Sequence, residues 1–238
     1  MKLDILVFAA HPDDAELGCG GTLAKHIRSG FKAGIIDLTR GELGTRGNVD
    51  IRAEEARKAA EILGLSVREN LGLEDGFFEN NRENQLKIIQ SIRKHQPDIV
   101  LTNATEDRHP DHGRAAQLVK TACFLSGLVK IPTYLEDQPQ TPWRPRAVYH
   151  FIQSRYQEPD IIVDISEYWE QKESAFMAYR SQMYNPQSQE APTYIASLEF
   201  FELVKARAIE FGNAIGRRYG EGFTISRKIG VDLLNHLI

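Results

Sequence analysis

Cysteine is scarce: 238 residues hold only Cys19 and Cys123, far apart and neither in a Cys-x-x-Cys pair. That excludes a disulfide-stapled scaffold and a thiolate-based zinc knuckle, and two free thiols in a reducing compartment are expected. No apolar run approaches the ~18 residues that a membrane-spanning helix needs. The opening stretch, MKLDILVFAAHPDD, has a short apolar run that His-Pro-Asp-Asp cuts off at once. A secretory leader would carry a small-residue cleavage site rather than two acids, so no signal peptide and a cytoplasmic location are expected. Basic blocks are missing too. The 29 Lys and Arg stand against 33 Asp and Glu, a net charge of -4, which removes the electrostatic footprint of a nucleic-acid binder. No Gly-x-Gly-x-x-Gly fingerprint is found. The run Gly18-Cys19-Gly20-Gly21 follows two aspartates that would repel a pyrophosphate, so close helix–sheet packing explains it better.

With 42% hydrophobic and 26% charged residues, the chain has the composition of a globular protein long enough to bury a sizeable core. Apolar runs rich in β formers predict strands over 3–10, 33–38, 67–71 and 98–102. Helical spacing predicts helices over 17–29, 51–63, 82–95 and 111–125, with Gly30 and Gly64 as stop signals. After about residue 130 the pattern loosens. Strands are expected over 147–152 and 161–163, and helices over 166–180 and 196–218, joined by a polar segment, 181–193. The alternation implies a single α/β domain over 1–238. Its expected form is a Rossmann-like three-layer α/β/α sandwich with a mostly parallel sheet and a C-terminal elaboration.

Two clusters of titratable residues lie just past strand ends. The first reads His11-Pro12-Asp13-Asp14-Ala15-Glu16, after the first strand. The second, after the fourth, reads Glu106-Asp107-Arg108-His109-Pro110-Asp111-His112. In a Rossmann-like order these strands are neighbours at the topological switch point, so both clusters are expected in one crevice. An imidazole and a carboxylate three residues apart on a strand-to-helix turn can share a site, and zinc accepts mixed N and O ligands. Adjacent aspartates on a tight turn cannot easily face the same way, which leaves one for metal and the other for water. The competing possibilities are an aspartate that only caps the next helix and two histidines that are merely solvated.

AHPDDAE followed about a hundred residues later by HPDH resembles the LmbE-like (PIG-L-type) deacetylases. The resemblance continues through Thr39-Arg40-Gly41-Glu42, Arg52-Ala53-Glu54-Glu55 and Glu221-Gly222-Phe223, and so spans most of the chain. LTRGELGTRG and EDRHPDH are most similar to the bacillithiol-biosynthesis branch, which deacetylates an N-acetylglucosamine linked to malate. The resemblance implies zinc held by His11, Asp14 and His112, with Asp13 as general base. Three protein ligands leave a zinc position open for water, whose pKa can fall to ~7. His109, held as imidazolium by Asp111, would then stabilise the oxyanion. Fe(II), Co(II) or Ni(II) would accept the same ligands.

Arg40, Arg46, Arg52 and Arg108 fall in or beside loops at the sheet's carboxyl edge, where a guanidinium fork suits a malate carboxylate. Arg52 and Arg108 are the stronger candidates, and Tyr194 is a further candidate donor to the oxyanion. The expected partner is a small N-acetylated amino-sugar substrate, and the resemblance implies a homo-oligomer. Two alternatives stay open: a deacetylase of another N-acetylglucosamine derivative, and a non-catalytic sugar-binding Rossmann-like protein.

Overall fold

The computed structural model describes residues 1–233, so the last five residues of the expected domain lie outside the described residues. The chain begins as regular alternation: β1 (Ile5–Ala9), α1 (Asp14–Arg28), β2 (Ala33–Thr39), α2 (Val49–Leu63) and β3 (Val67–Leu73). It continues through α3 (Arg82–His95), β4 (Ile99–Asn103) and α4 (Pro110–Leu125). A short hairpin, β5 (Tyr134–Leu135) and β6 (Gln138–Pro139), precedes β7 (Ala147–Phe151) and β8 (Ile161–Asp164). Then come α5 (Trp169–Met177), α6 (Leu198–Ala214) and β9 (Gly220–Ile225).

The main sheet has the order β3-β2-β1-β4-β7-β9-β8. Strands β3 through β7 run parallel, and β9 lies antiparallel between β7 and β8. Side chains alternate across the sheet as the pleat requires. Leu6, Phe8, Ile36, Leu38 and Val100 join α3 and α4 in one core layer. Ile5, Val7, Ile35 and Leu101 meet Leu23, Leu63 and Ala175 of α1, α2 and α5 in the other. Helices on both faces give the expected three-layer sandwich. Among the described residues no helix is long and apolar enough to cross a membrane.

Local chemistry sets the helix ends. The Asn48 side chain accepts from Asp50 N and Ile51 N to start α2, and Gly64 stops it at φ 77°. Two features differ from expectation. Helix α1 starts at Asp14, immediately after the acidic turn, and kinks at Cys19 (φ -144°, ψ 16°). Strand β9 is absent from the sequence-based expectation, which assigns no element after residue 218. Gly220 and Gly222 serve there as close-approach positions: a Cβ on Gly222 would lie 2.6 Å from a Phe211 ring carbon.

The kink and β9 are joined. Past the break, Gly21 N and Thr22 N donate to Glu221 of β9 at 2.9 and 2.6 Å. Lys172 of α5 neutralises that buried carboxylate at 2.6 Å. The C-terminal elaboration is thereby fastened to the first helix.

The glycine run does lie against neighbouring elements. A Cβ on Gly18 would sit 2.2 Å from the Phe151 ring, whereas on Gly20 its nearest neighbour would be Lys172 Cγ at 3.5 Å. Gly18→Ala should therefore lose about 1–3 kcal/mol in urea unfolding, as overpacked cores do. Gly20→Ala, at ordinary contact distance in a helix, should be neutral or slightly stabilising. Equal midpoints for the two variants would refute the packing role of Gly18.

Candidate metal and active site

Strand β1 ends at Ala9, and the next residues turn sharply into α1. Asp13 sits at the N-cap with φ 114°, in the left-handed region, and its side chain makes no capping bond. Capping therefore does not account for this aspartate. The unusual backbone sends Asp13 and Asp14 to different places.

Asp14 turns inward, beneath the edge of the sheet. Its Oδ2 accepts from His11 N at 3.0 Å and from Asn103 Nδ2 at 3.1 Å. Its Oδ1 accepts from Gln153 Nε2 at 2.9 Å. Asn103 closes β4 and also accepts from Ala10 N at 2.9 Å, stitching the ends of β1 and β4 together. Gln153 lies two residues past β7. Three adjacent parallel strands thus converge on one carboxylate.

Both flanking histidines aim one nitrogen at Asp14. His11 Nδ1 lies 3.4 Å from Asp14 Oδ2, and His112 Nε2 lies 3.2 Å from Asp14 Oδ1. Each ring's other nitrogen is held by carboxylate. His11 Nε2 faces Asp75 Oδ1 at 2.9 Å and Asp111 Oδ2 at 3.3 Å. His112 Nδ1 bonds Asp107 Oδ2 at 2.7 Å. Carboxylates behind the rings fix which nitrogen faces the site, as in carboxylate–histidine–metal arrangements.

The electrostatics agree. Burial pulls the His11 imidazole down, but Asp111, Asp14 and Asp75 outweigh it and hold the group well above the ordinary value. Burial likewise opposes protonation of His112, yet Asp14 and Asp107 push it up to about 9. Asp14 is driven well below the carboxylate range because His112 and His11 overcome its burial. A site that stabilises positive charge on two imidazoles beside a carboxylate suits a divalent cation, which competes with those protons for the same lone pairs.

Nitrogens of His11, His109 and His112 also come within 4.8 Å of one another. His109 differs from the other two. Its Nδ1 accepts from Asp111 N at 3.3 Å, so in the neutral ring the proton sits on Nε2. That makes His109 a donor, not a ligand. Burial first, then the charges of His11 and His112, keep its pKa low. The expected imidazolium pair between His109 and the Asp111 carboxylate is corrected here. Asp111 Oδ2 instead accepts from Gly76 N at 2.8 Å and faces His11, while Oδ1 accepts from Arg114 at 2.9 Å.

Asp13 stands apart from the Asp14 cluster and accepts from Arg52 Nη2 at 3.1 Å. Burial raises its pKa, with the Arg52 charge pulling the other way. Arg52 also donates to Pro12 O at 2.6 Å and more weakly to Gly41 O at 3.4 Å. It also borders the cavity, where its buried Nε has no hydrogen-bond partner among the described residues. The expectation for Arg46 is corrected: buried, it donates to Ser188 Oγ at 2.5 Å and Glu190 Oε2 at 3.3 Å. Arg40 is exposed and lies in a separate cleft with Asp37 and Arg68. Arg108 does line the site, stacked 4.2 Å from the centroid of the Tyr194 ring, and among the described residues no side chain accepts from its guanidinium.

One cavity of about 370 Å³ has the buried Asp13, Asp14, His11 and His112 and the half-buried His109 at its floor, and the exposed Arg108 and Tyr194 as its wall. Sequence reasoning missed Asp75, Asn103 and Gln153 entirely and gave Asp107 no role. The available signal was position, since each lies within about four residues of the carboxyl end of a parallel strand.

The chain resembles known proteins over most of its length. The family model PIG-L, described as GlcNAc-PI de-N-acetylase, matches residues 6–123, which run from β1 into α4 and contain both His/Asp clusters. The diacetylchitobiose deacetylase of Thermococcus kodakarensis is 30% identical over 228 residues, covering 92% of this chain and 81% of that protein. A probable N-acetyl-alpha-D-glucosaminyl L-malate deacetylase 2 of Bacillus cereus is 26% identical over 201 residues, covering 76% of this chain and 84% of its own length. The crystal structure of the conserved protein TT1542 from Thermus thermophilus superposes with a TM-score of 0.85 at 38% identity, covering 97% of this chain and 98% of that one. By sequence, coverage and fold, the chain belongs to the PIG-L (LmbE-like) de-N-acetylase family.

Proposed function

We propose that the protein is a metal-dependent N-deacetylase that removes the acetyl group from an N-acetylglucosaminyl conjugate. The observation that carries this reading is the division at the acidic turn. Asp14 lies between the two carboxylate-backed histidines, while the neighbouring Asp13 is turned away from them onto Arg52. His11, Asp14 and His112 would hold the ion, zinc being the expected one. When bound it supplies a Lewis acid for the acetyl carbonyl and a water of lowered pKa.

The chain's own groups account for the proton movements. The Asp13 carboxylate takes a proton from the attacking water. Burial raises its proton affinity toward working pH, and Arg52 keeps the carboxylate in place. The same proton passes to the departing amine, which leaves as a free amino sugar beside acetate. His109 Nε2–H donates to the carbonyl oxygen as charge builds there, and a neutral imidazole is sufficient for that.

The finer reading concerns the aglycone. Among the described residues, Arg108 is the expected substrate arginine that lines this cavity without a side-chain acceptor, and malate is the acidic group it would meet. Diacetylchitobiose, the neutral substrate named for the Thermococcus relative, is the contrasting case.

Three outcomes are expected. His11→Ala, Asp14→Ala and His112→Ala should each lose metal and acetate release together, and full metal content with activity in all three would remove the ligand assignment. Asp13→Asn should keep its metal by elemental analysis yet fall roughly 10²–10⁴-fold in kcat. Parent-level turnover in that variant would place the base elsewhere. Arg108→Ala should lower kcat/KM for N-acetylglucosaminyl-malate by roughly one to two powers of ten, the worth of one charge-assisted pair. Diacetylchitobiose should be little affected. Equal losses on both substrates would sink the malate reading and leave the deacetylase reading standing.

A further inference from the structure

Asp107 belongs to neither the metal-ligand set nor the acid–base pair, yet it is among the most heavily bonded carboxylates near the cavity. Its side chain is 1% exposed, and no Lys or Arg among the described residues pairs with it. Four N–H groups converge on its two oxygens. His112 Nδ1 at 2.7 Å and Ser154 N at 3.3 Å reach Oδ2. Arg155 N and Arg108 N, each at 2.7 Å, reach Oδ1. One carboxylate therefore fixes an imidazole on α4 and the backbone of the segment that follows β7.

That segment returns to the same place by another route. Gln153, just before Ser154, donates through Nε2 to Asp14 Oδ1 at 2.9 Å. The same oxygen faces His112 Nε2 at 3.2 Å. The result is a closed ring: Asp107 to His112, His112 to Asp14, Asp14 to Gln153, and Gln153 along the chain to Ser154 and Arg155, which bond back to Asp107. A second contact, Gln157 Nε2 to Glu106 O, fastens the segment one residue further round. No link in the ring can shift alone. Turning His112 breaks its bond to Asp107, and lifting residues 153–155 removes a donor from Asp14.

We propose that Asp107 is a positioning residue that sets metal affinity by holding His112 with Nε2 toward the site, and that through it metal binding is coupled to the 153–157 segment. The proposal rests on the metal reading above. Carboxylates behind metal-binding histidines typically contribute 10–100-fold in affinity. Coupling through the ring must be reciprocal, so the ion that is weakened by freeing the segment also steadies the segment when it binds.

The test uses the full chain, with Zn(II) affinity read by competition against a chromophoric chelator, the visible spectrum of the Co(II)-loaded protein, and hydrogen exchange at the Arg155 amide. In the parent, Zn(II) should slow Arg155 exchange by roughly 5–150-fold, the usual span of such couplings. Asp107→Ala should weaken Zn(II) binding roughly 10–100-fold, alter the Co(II) spectrum, and abolish the metal effect on Arg155. Asp107→Asn, which keeps an oxygen for His112 but not the carboxylate for the backbone amides, should fall between parent and Asp107→Ala in affinity. This variant also guards against an Asp107→Ala protein that does not fold. Parent-like affinity and an unchanged Co(II) spectrum in both variants would overturn the proposal. Weakened affinity with Arg155 exchange indifferent to metal in the parent would overturn the coupling. A parent that binds no divalent metal would overturn the metal reading and this inference with it, whereas a parent that binds metal no more tightly than Asp107→Ala overturns this inference alone.

Discussion

The structure depends on keeping one buried carboxylate compensated. Asp14 is 2% exposed, and leaving such a charge without its partners costs about 3–5 kcal/mol. Its partners come from four segments: the turn after β1, the last residue of β4, the first turn of α4 and the segment past β7. The parallel order β1-β4-β7 is what lets those segments meet, and the Asn103–Ala10 bond holds the first two strands in register where it matters. Folding and site assembly are therefore one event. The sheet cannot close in this order without bringing the donors to Asp14.

The second constraint is that Asp13 be kept out of that arrangement. Adjacent aspartates on this turn must point apart, because two carboxylates in one place cannot both stay ionised. The left-handed backbone at Asp13 costs of order 1–3 kcal/mol and separates them. The consequence shows in opposite proton affinities for neighbouring residues of the same type. Burial raises Asp13, whereas His112 and His11 overcome burial and lower Asp14. Pairs of titratable groups pushed apart in this way mark an acid–base site. Arg52 takes part as the partner of Asp13, the proposed base, and its charge opposes the rise that burial causes there.

Much of this was legible in the sequence because period and punctuation are local. Gly64 as the stop of α2 follows from a backbone rule that neighbours seldom override, whereas the Asn48 cap lies ahead of the expected start at residue 51. The convergence of His11 and His112 was legible for a different reason: in parallel α/β sheets, topology alone brings the loops after adjacent strands together. Single polar residues were not legible. Asn103, Gln153 and Asp75 form no motif, and their roles appear only when the partner across the crevice is known. The arginines show the limit most clearly. Sequence places Arg40, Arg46, Arg52 and Arg108 near one edge, but which carbonyls and acids claim each guanidinium is decided by packing. Strand β9 escaped because its glycines answer to Phe211 and Ile162, residues distant in sequence, rather than to any turn.

The charge distribution around the cavity sets Arg108 apart from the acids that border it. Asp75, Asp107 and Asp111 are engaged by histidines, backbone amides or Arg114, and Asp13 by Arg52. Among the described residues, the acids around the cavity are thus matched within the protein. Arg108 is different: it stands on the wall, supported by an aromatic ring and without an acidic side chain to neutralise it. On the proposed function, recognition of the acetyl group and recognition of whatever is attached to the sugar are then physically separate tasks. A change at the wall can alter the preferred conjugate at little cost to the chemistry, because none of the hydrogen bonds that organise Asp14 passes through the side chain of Arg108 or Tyr194. Relatives named for a neutral disaccharide and for an acidic malate conjugate are what such a division allows.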